Sequence, residues 1–100
     1  MRGCFITFEG GEGSGKSTQI QLLRSRLQKQ GLQVLVTREP GGCDLSEGIR
    51  DLLLGADSDG MEAKTELLLM AAARAEHVAK IIQPALESGH WVLCDRFTDS

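Results

Sequence analysis

Short apolar runs alternate along the chain with longer segments in which apolar residues recur at helical spacing. The runs at 4–9, 34–37 and 91–94 combine β-branched, aromatic and other apolar side chains, which is typical of buried strands. The intervening segments predict helices over 16–30, 45–54 and 62–86, with Pro84 bending the last helix or starting a short final segment. This alternation predicts an α/β fold, a doubly wound parallel sheet covered on both faces.

The long third helix has two distinguishable faces. Its apolar face is expected to pack on the sheet and consists of Leu68, Ala71, Ala72, Ala75, Val78, Ala79 and Ile82. Met70, Arg74 and His77 recur at i, i+4 and i+7 on an adjoining face, where the alanine-rich surroundings of Arg74 let another group approach closely.

The segment between the first strand and the first helix is rich in glycine and fits G-x-x-x-x-G-K-[ST], the Walker A phosphate loop. The residues of this loop are Gly10, Gly11, Glu12, Gly13, Ser14, Gly15, Lys16, Ser17 and Thr18. Glycines let successive N–H groups point at phosphate oxygens, and the helix N-terminus adds partial positive charge. Lys16 would neutralise the β- and γ-phosphates, and Ser17 could ligate Mg²⁺. A flexible glycine turn is the alternative, but the strand before the loop and the helix after it favour nucleotide binding.

Polar residues also follow the second and third strands, at the sheet edge where doubly wound folds bind ligands. Asp95 ends a mostly apolar strand, as does the Walker B acid that binds Mg²⁺ directly or through water. Arg38 and Arg96 are expected to meet near the same cleft, where two guanidinium groups suggest a second phosphate, that of an acceptor. For either arginine alone, a surface ion pair would be the simpler interpretation.

Composition narrows the function classes. One hundred residues allow a single domain at most, and a net charge of −3 without a basic stripe argues against a nucleic-acid partner. No apolar run is long enough to span a membrane, and the N-terminus lacks a signal-peptide layout. Cys4, Cys43 and Cys94 form no C-x-x-C pair, so we expect reduced thiols in a cytoplasmic protein, with Cys4 and Cys94 as packing residues. His77 and His90 lack ligand-like spacing, which argues against a zinc site.

Three segments resemble signatures of the thymidylate kinase family, in its bacterial form: 8–18, 37–42 and 95–97. The helix segment 67–74 also resembles the thymine-facing helix of that family. The resemblance covers essentially all 100 residues. A complete member is about twice as long, so residues 1–100 resemble the N-terminal part of a single P-loop kinase domain without its lid and C-terminal strands. The family sheet has the strand order 2-3-1-4-5, which would place the first strand at an edge here.

The resemblance implies phosphoryl transfer from ATP to dTMP with Mg²⁺, in dTTP biosynthesis. The residues of the glycine loop would bind ATP, and Glu12 would lie near the sugar 3′-hydroxyl and the reacting phosphates. The catalytic residues would be Glu12, Lys16, Asp95 and Arg96, and Ser17 and Asp95 would hold the metal. The loop carries no arginine, and family members of that kind supply the cationic group from the lid.

The resemblance also assigns the acceptor side. The substrate-binding residues would be Arg38, Glu39, Pro40, Met70, Arg74 and Arg96. Arg38 and Arg96 would hold the dTMP phosphate, and Arg74 would contact the thymine ring. Met70 would cover a ring face where many members have phenylalanine. The resemblance further implies a cis Glu39–Pro40 peptide and a possible homodimer.

Three rival interpretations stay open at the level of sequence. One is another nucleoside-monophosphate or small-metabolite kinase on the same fold. Another is a GTPase-like switch, since 57–60 fits D-x-x-G, although it lies in a loop and no N-K-x-D occurs; a calcium loop at the same place is weaker still. The last is that residues 1–100 alone are inert, because an unpaired edge strand would leave them unstable.

Overall fold

The computed structural model describes residues 3–10, 15–55 and 59–96, which form a three-stranded parallel sheet and its surrounding helices. The strands are β1 (Phe5–Glu9), β2 (Val34–Glu39) and β3 (Trp91–Arg96). The helices are α1 (Lys16–Lys29), α2 (Asp44–Leu54), α3 (Ala63–His77) and α4 (Gln83–Glu87), with a π-helical turn (Val78–Ile82) between α3 and α4. The sheet order is β1-β3-β2. The predicted α/β fold is therefore confirmed, and so is the position of β1 at one edge.

β3 forms the centre of the fold because it pairs with a strand on each side. Its Val92, Leu93 and Cys94 are all 0% exposed. Leu93 packs with Ile20 and Leu27 of α1 on one face of the sheet. Because successive side chains alternate between faces, Val92 and Cys94 lie on the other face. Burial on both faces explains why the strand reads as a nearly continuous apolar run.

The register at the carboxyl ends of the strands sorts the polar residues into two rows. Arg38 aligns with Asp95, whereas Glu39 aligns with Arg96, and Arg96 in turn aligns with Glu9 of β1. Successive side chains of a strand point to opposite faces. Arg38 and Asp95 therefore share the face that α1 covers, while Glu9, Glu39 and Arg96 share the face toward α3.

The predicted apolar face of the long helix does not pack on the sheet as expected. Leu68 is 64% exposed, and Ala71, Ala72, Ala75 and Ala79 are exposed as well, whereas Ile82 is buried. The buried residues of α3 are instead Ala73 and His77. An alanine-rich helix has little contrast between its faces, so the polar contacts of His77 and the close approach of Ala73 to α2 decide its orientation. None of the described helices is both long and apolar enough to cross a bilayer.

The π-helical turn marks the change in the long helix that Pro84 predicted. At its end, the Gln83 N–H donates to the carbonyl of Val78, five residues earlier. Pro84 lies in the first turn of α4, directly after the wider turn, so its missing N–H falls where the regular α-helical hydrogen-bond pattern is already interrupted. The prediction of a short final segment is thus confirmed, and His77 is the last residue before the wider turn.

The cysteines differ in their surroundings, although all three are free thiols. Cys94 is buried as predicted, and burial raises the pKa of its thiol to about 12. Cys4 is exposed, so its assignment as a packing residue is wrong. It lies just before β1, at the edge of the sheet, where no described helix covers it.

Candidate active site

Lys16 joins the carboxyl ends of β1 and β3 at the mouth of the glycine loop. Its Nζ lies 2.6 Å from Asp95 Oδ1 and 2.5 Å from the carbonyl oxygen of Gly10. Gly15, directly before α1, has φ 79°, a left-handed conformation that glycine adopts without strain. The side chain of Lys16 is only 11% exposed. The structure therefore brings together the two charged residues predicted for the donor side, Lys16 and Asp95.

A cavity of about 390 Å³ opens beside this pair, and its lining includes Ser17, Arg38 and Asp95. No group of three or more His, Cys, Asp or Glu side chains able to hold a metal ion occurs among the described residues. Mg²⁺ commonly takes one or two protein oxygens and completes its shell with phosphate oxygens and water. The hydroxyl of Ser17 and the carboxylate of Asp95 fit that pattern. Thr18 is exposed and lines a neighbouring depression on α1 instead.

Arg38 forms a two-point ion pair with Glu47 of α2. Arg38 Nε lies 3.2 Å from Glu47 Oε2, and an Nη nitrogen contacts Oε1. The N–H of Gly42 also donates to Oε2, at 2.7 Å. The hydrogen bond from Arg38, followed by that from Gly42, lowers the pKa of Glu47 to about 2, and the same pairing raises the pKa of Arg38.

A second cavity, of about 530 Å³, lies on the opposite face of the sheet, between β2, α2 and α3. Its apolar wall is formed by leucine, methionine and alanine side chains, and its charged end by Arg74 and Arg96. The predicted substrate-binding residues that line it are Glu39, Pro40, Met70, Arg74 and Arg96. An apolar wall with two guanidinium groups at one end suits a flat ring that carries an anionic group.

Glu39 is the buried centre of the charges around this second cavity. Its Oε1 lies 3.4 Å from Arg74 Nε and 3.5 Å from Arg96 Nε. Its Oε2 lies 3.3 Å from Nδ1 of His77, which is fully buried. Arg96 also contacts Glu9 through an Nη nitrogen, at 3.0 Å.

Comparison with known proteins gives a single family. The family model described as thymidylate kinase matches residues 8–100. The chain belongs to the thymidylate kinase family. Thymidylate kinase of Magnetococcus marinus is 61% identical over 100 residues, and that of Afipia carboxidovorans 64% identical over 99. The crystal structure of thymidylate kinase from Ehrlichia chaffeensis superposes with a TM-score of 0.82 at 45% identity and covers 97% of this chain.

The chain spans about half the length of these relatives. It covers 48% of the Magnetococcus protein, 43% of the Afipia protein and 55% of the Ehrlichia chain. Two geometric expectations that came from the resemblance to thymidylate kinases are confirmed: the Glu39–Pro40 peptide is cis, and the strand order is the expected one. Gly11, Glu12, Gly13 and Ser14 lie outside the described residues, and so do 97–100.

The structure separates the two arginines that the sequence placed in one cleft. Arg38 lines the cavity beside Asp95, and Arg96 lines the cavity beside Arg74. The reason is the strand register, which aligns Arg38 with Asp95 and so leaves Arg38 and Arg96 on opposite faces. In this thymidylate kinase family member, the partner of Arg38 is Glu47, which sequence analysis did not consider.

Three polar residues near these charges had no site role predicted from the sequence: Glu9, which contacts Arg96, His77, which contacts Glu39, and Thr37, which contacts His77 and lines the cavity beside Asp95. The sequence placed His77 on one helix face with Met70 and Arg74 and argued against a zinc site, but it predicted no contact between His77 and the second strand. Thr37 and Glu39 lie two residues apart in β2 and therefore point to the same side. That alternation is the signal that could have joined Thr37 and Glu39 to His77.

Proposed function

We propose that this protein acts as an ATP-dependent thymidylate kinase that converts dTMP to dTDP in dTTP biosynthesis. The observation that carries the proposal is the pairing of two sites across the end of one sheet. Lys16 and Asp95 form a phosphate-loop centre, and an apolar cavity with two arginines lies on the other face. Family membership supports the same assignment. Because the transferred phosphoryl group needs little covalent help, positioning and charge neutralisation suffice for catalysis.

On the donor side, we assign the ATP phosphates to the loop that ends at Gly15 and to Lys16, Ser17 and Thr18. Lys16 Nζ already lies between Gly10 and Asp95, so a phosphate oxygen would replace one of these acceptors without a large movement of the side chain. As the family resemblance implies, we also place Glu12 near the sugar 3′-hydroxyl and the reacting phosphates. When bound, Mg²⁺ would neutralise phosphate charge, and Ser17 and Asp95 would hold it.

On the acceptor side, we assign the dTMP phosphate to Arg96 and the thymine ring to Arg74 and Met70. Pro40 and Glu39 complete the wall of the cavity. Arg38 would reach the acceptor only after leaving Glu47, so we assign it a smaller contribution. A homodimer, a cytoplasmic location and the lack of a nucleic-acid partner remain part of the proposal. We also propose that residues 1–100 are the N-terminal part of one kinase domain and do not transfer phosphate by themselves.

Substitution of Lys16 tests the donor site. In the full-length protein, Lys16→Ala should lower kcat by orders of magnitude, because a preorganised charge near the transferring phosphoryl group is lost. The matched control is Lys29→Ala at the end of α1, which removes the same charge from outside both cavities. A coupled assay for ADP formation measures both variants. Turnover of Lys16→Ala equal to that of Lys29→Ala would refute the catalytic role of Lys16.

A further inference from the structure

His77 lies behind the acceptor cavity, and both of its ring nitrogens have polar partners. Its Nδ1 faces Glu39 Oε2 at 3.3 Å, and its Nε2 faces Thr37 Oγ1 at 2.7 Å. The side chain is 0% exposed. A buried imidazole with two specific partners is held in one orientation.

Gly42 closes the space around this imidazole. A Cβ atom built at Gly42 would collide with the ring of His77 and with Thr37 Oγ1. The backbone of Gly42 has φ 100°, a conformation that also favours glycine. The ring therefore has no room to swing away from Glu39 on this side.

Hydrogen-bond accounting assigns the proton on the ring. The carboxylate of Glu39 can only accept, so Nδ1 must carry the hydrogen that faces it. At Nε2, the hydroxyl of Thr37 can act as either donor or acceptor, so both ring nitrogens have a partner.

The contact with His77 determines what Glu39 can do for the arginines. With Oε2 held by His77, only Oε1 remains for Arg74 and Arg96, which it contacts at 3.4 and 3.5 Å through their Nε atoms. A carboxylate without this restraint favours a two-point pair with one guanidinium, the geometry that Arg38 and Glu47 adopt. Such a pair would occupy the guanidinium edge that an anionic ligand needs.

We propose that His77 is a positioning residue that holds Glu39 in a shared, one-oxygen contact and so keeps Arg74 and Arg96 available to the acceptor nucleotide. This inference rests on the proposed function, because it assumes that these arginines bind the acceptor. It adds a role for a residue that lines neither cavity, and it connects the proposed acceptor side to Thr37 and Gly42, which line the cavity beside Asp95.

Two amide substitutions test the roles of the two ring nitrogens of His77 separately. The amide nitrogen of His77→Asn falls near Nδ1 and keeps the donor to Glu39, whereas that of His77→Gln falls near Nε2 and loses it. In the full-length protein, calorimetry should give dTMP binding about tenfold weaker in H77Q, the loss of one hydrogen bond to a charged group. H77N should retain most of the affinity, and neither variant should change ATP binding.

The outcomes distinguish this role from a merely structural one. Unchanged dTMP binding in H77Q, or an equal loss of dTMP and ATP binding in both variants, overturns the positioning role. If the wild-type protein fails to bind dTMP, the proposed function itself is refuted. Should H77Q not fold, ¹⁵N spectroscopy of the wild-type protein decides: a hydrogen on Nδ1 of His77 supports the inference, and a hydrogen on Nε2 alone overturns it.

Discussion

Two glutamates bind arginines at the same end of the sheet, but they do so in opposite ways. Glu47 is part-exposed and forms a two-point pair with Arg38 alone. Glu39 is 7% exposed and shares one oxygen between Arg74 and Arg96 at distances of 3.4 and 3.5 Å. The first arrangement occupies one edge of its guanidinium with two contacts to a single carboxylate, whereas the second uses only the Nε of each guanidinium for Glu39. The Nη edges of Arg74 and Arg96 are therefore not taken up by Glu39. The comparison shows that a count of ion pairs does not identify a binding site, because geometry decides whether an arginine is still able to bind.

The largest difference between the arginines that contact Glu39 and the arginine that contacts Glu47 should be in acceptor binding. Arg96→Ala should weaken dTMP binding by about 2–4 kcal/mol, since a charge-assisted contact is lost. Arg38→Ala should cost about 1 kcal/mol or less, because Arg38 is already paired with Glu47. Isothermal calorimetry of both variants measures the contrast, with ATP affinity as the control. Equal losses of dTMP affinity in Arg96→Ala and Arg38→Ala would refute the proposed difference between these two arginines.

The free energy of unfolding should also differ between substitutions at Glu39 and at Glu47, but by a smaller amount. Glu39→Gln should lower the free energy of unfolding by about 2–3 kcal/mol, because two guanidinium groups lose a buried carboxylate. Glu47→Gln makes the identical change in a part-exposed pair and should cost about 0.5–1 kcal/mol. Urea denaturation of the full-length variants provides both values. A larger loss for Glu47→Gln than for Glu39→Gln would contradict the assignment of Glu39 as the buried centre.

The smallest effect concerns the pH dependence of the contact between Glu47 and Arg38. Its pKa in the folded protein is lowered from 4.5 to about 2, so its ionised form stabilises the fold. That contribution is complete above the unfolded pKa and is lost as the pH falls through the folded one. The stability difference between wild type and Glu47→Gln should therefore be constant above about pH 5 and shrink toward about pH 2. A stability difference that grows on acidification would show that it does not come from the ionised carboxylate of Glu47.

The strands, the helices and the proximity of Lys16 to Asp95 could be predicted from the sequence because all of them follow from local rules. A glycine loop between a strand and a helix places Lys16 at the loop mouth, and a residue at the end of the neighbouring strand, Asp95, must lie close to it. On the opposite face, Met70, Arg74 and Arg96 line one cavity, while their binding of the acceptor stays a prediction.

The errors came from properties that depend on register and on tertiary contacts. Which face of the sheet Arg38 occupies depends on its alignment with Asp95, and that alignment cannot be read from spacing alone. The orientation of α3 follows from the polar contacts of His77, which outweigh a weak apolar pattern. Cys4 was taken as a packing residue because the pattern does not tell an edge strand from a central one.

Acceptor preference tests the central claim most directly. The account predicts that the full-length protein, assayed with ATP and Mg²⁺, prefers dTMP to deoxycytidine monophosphate by about tenfold to a hundredfold in kcat/KM. The reason is that the amino group of cytosine would leave the Arg74 donor unpaired. Steady-state rates with both acceptors at several concentrations provide this ratio. A ratio of one or less, or no transfer to dTMP by the full-length protein, would contradict the assignment of the second cavity to thymidylate.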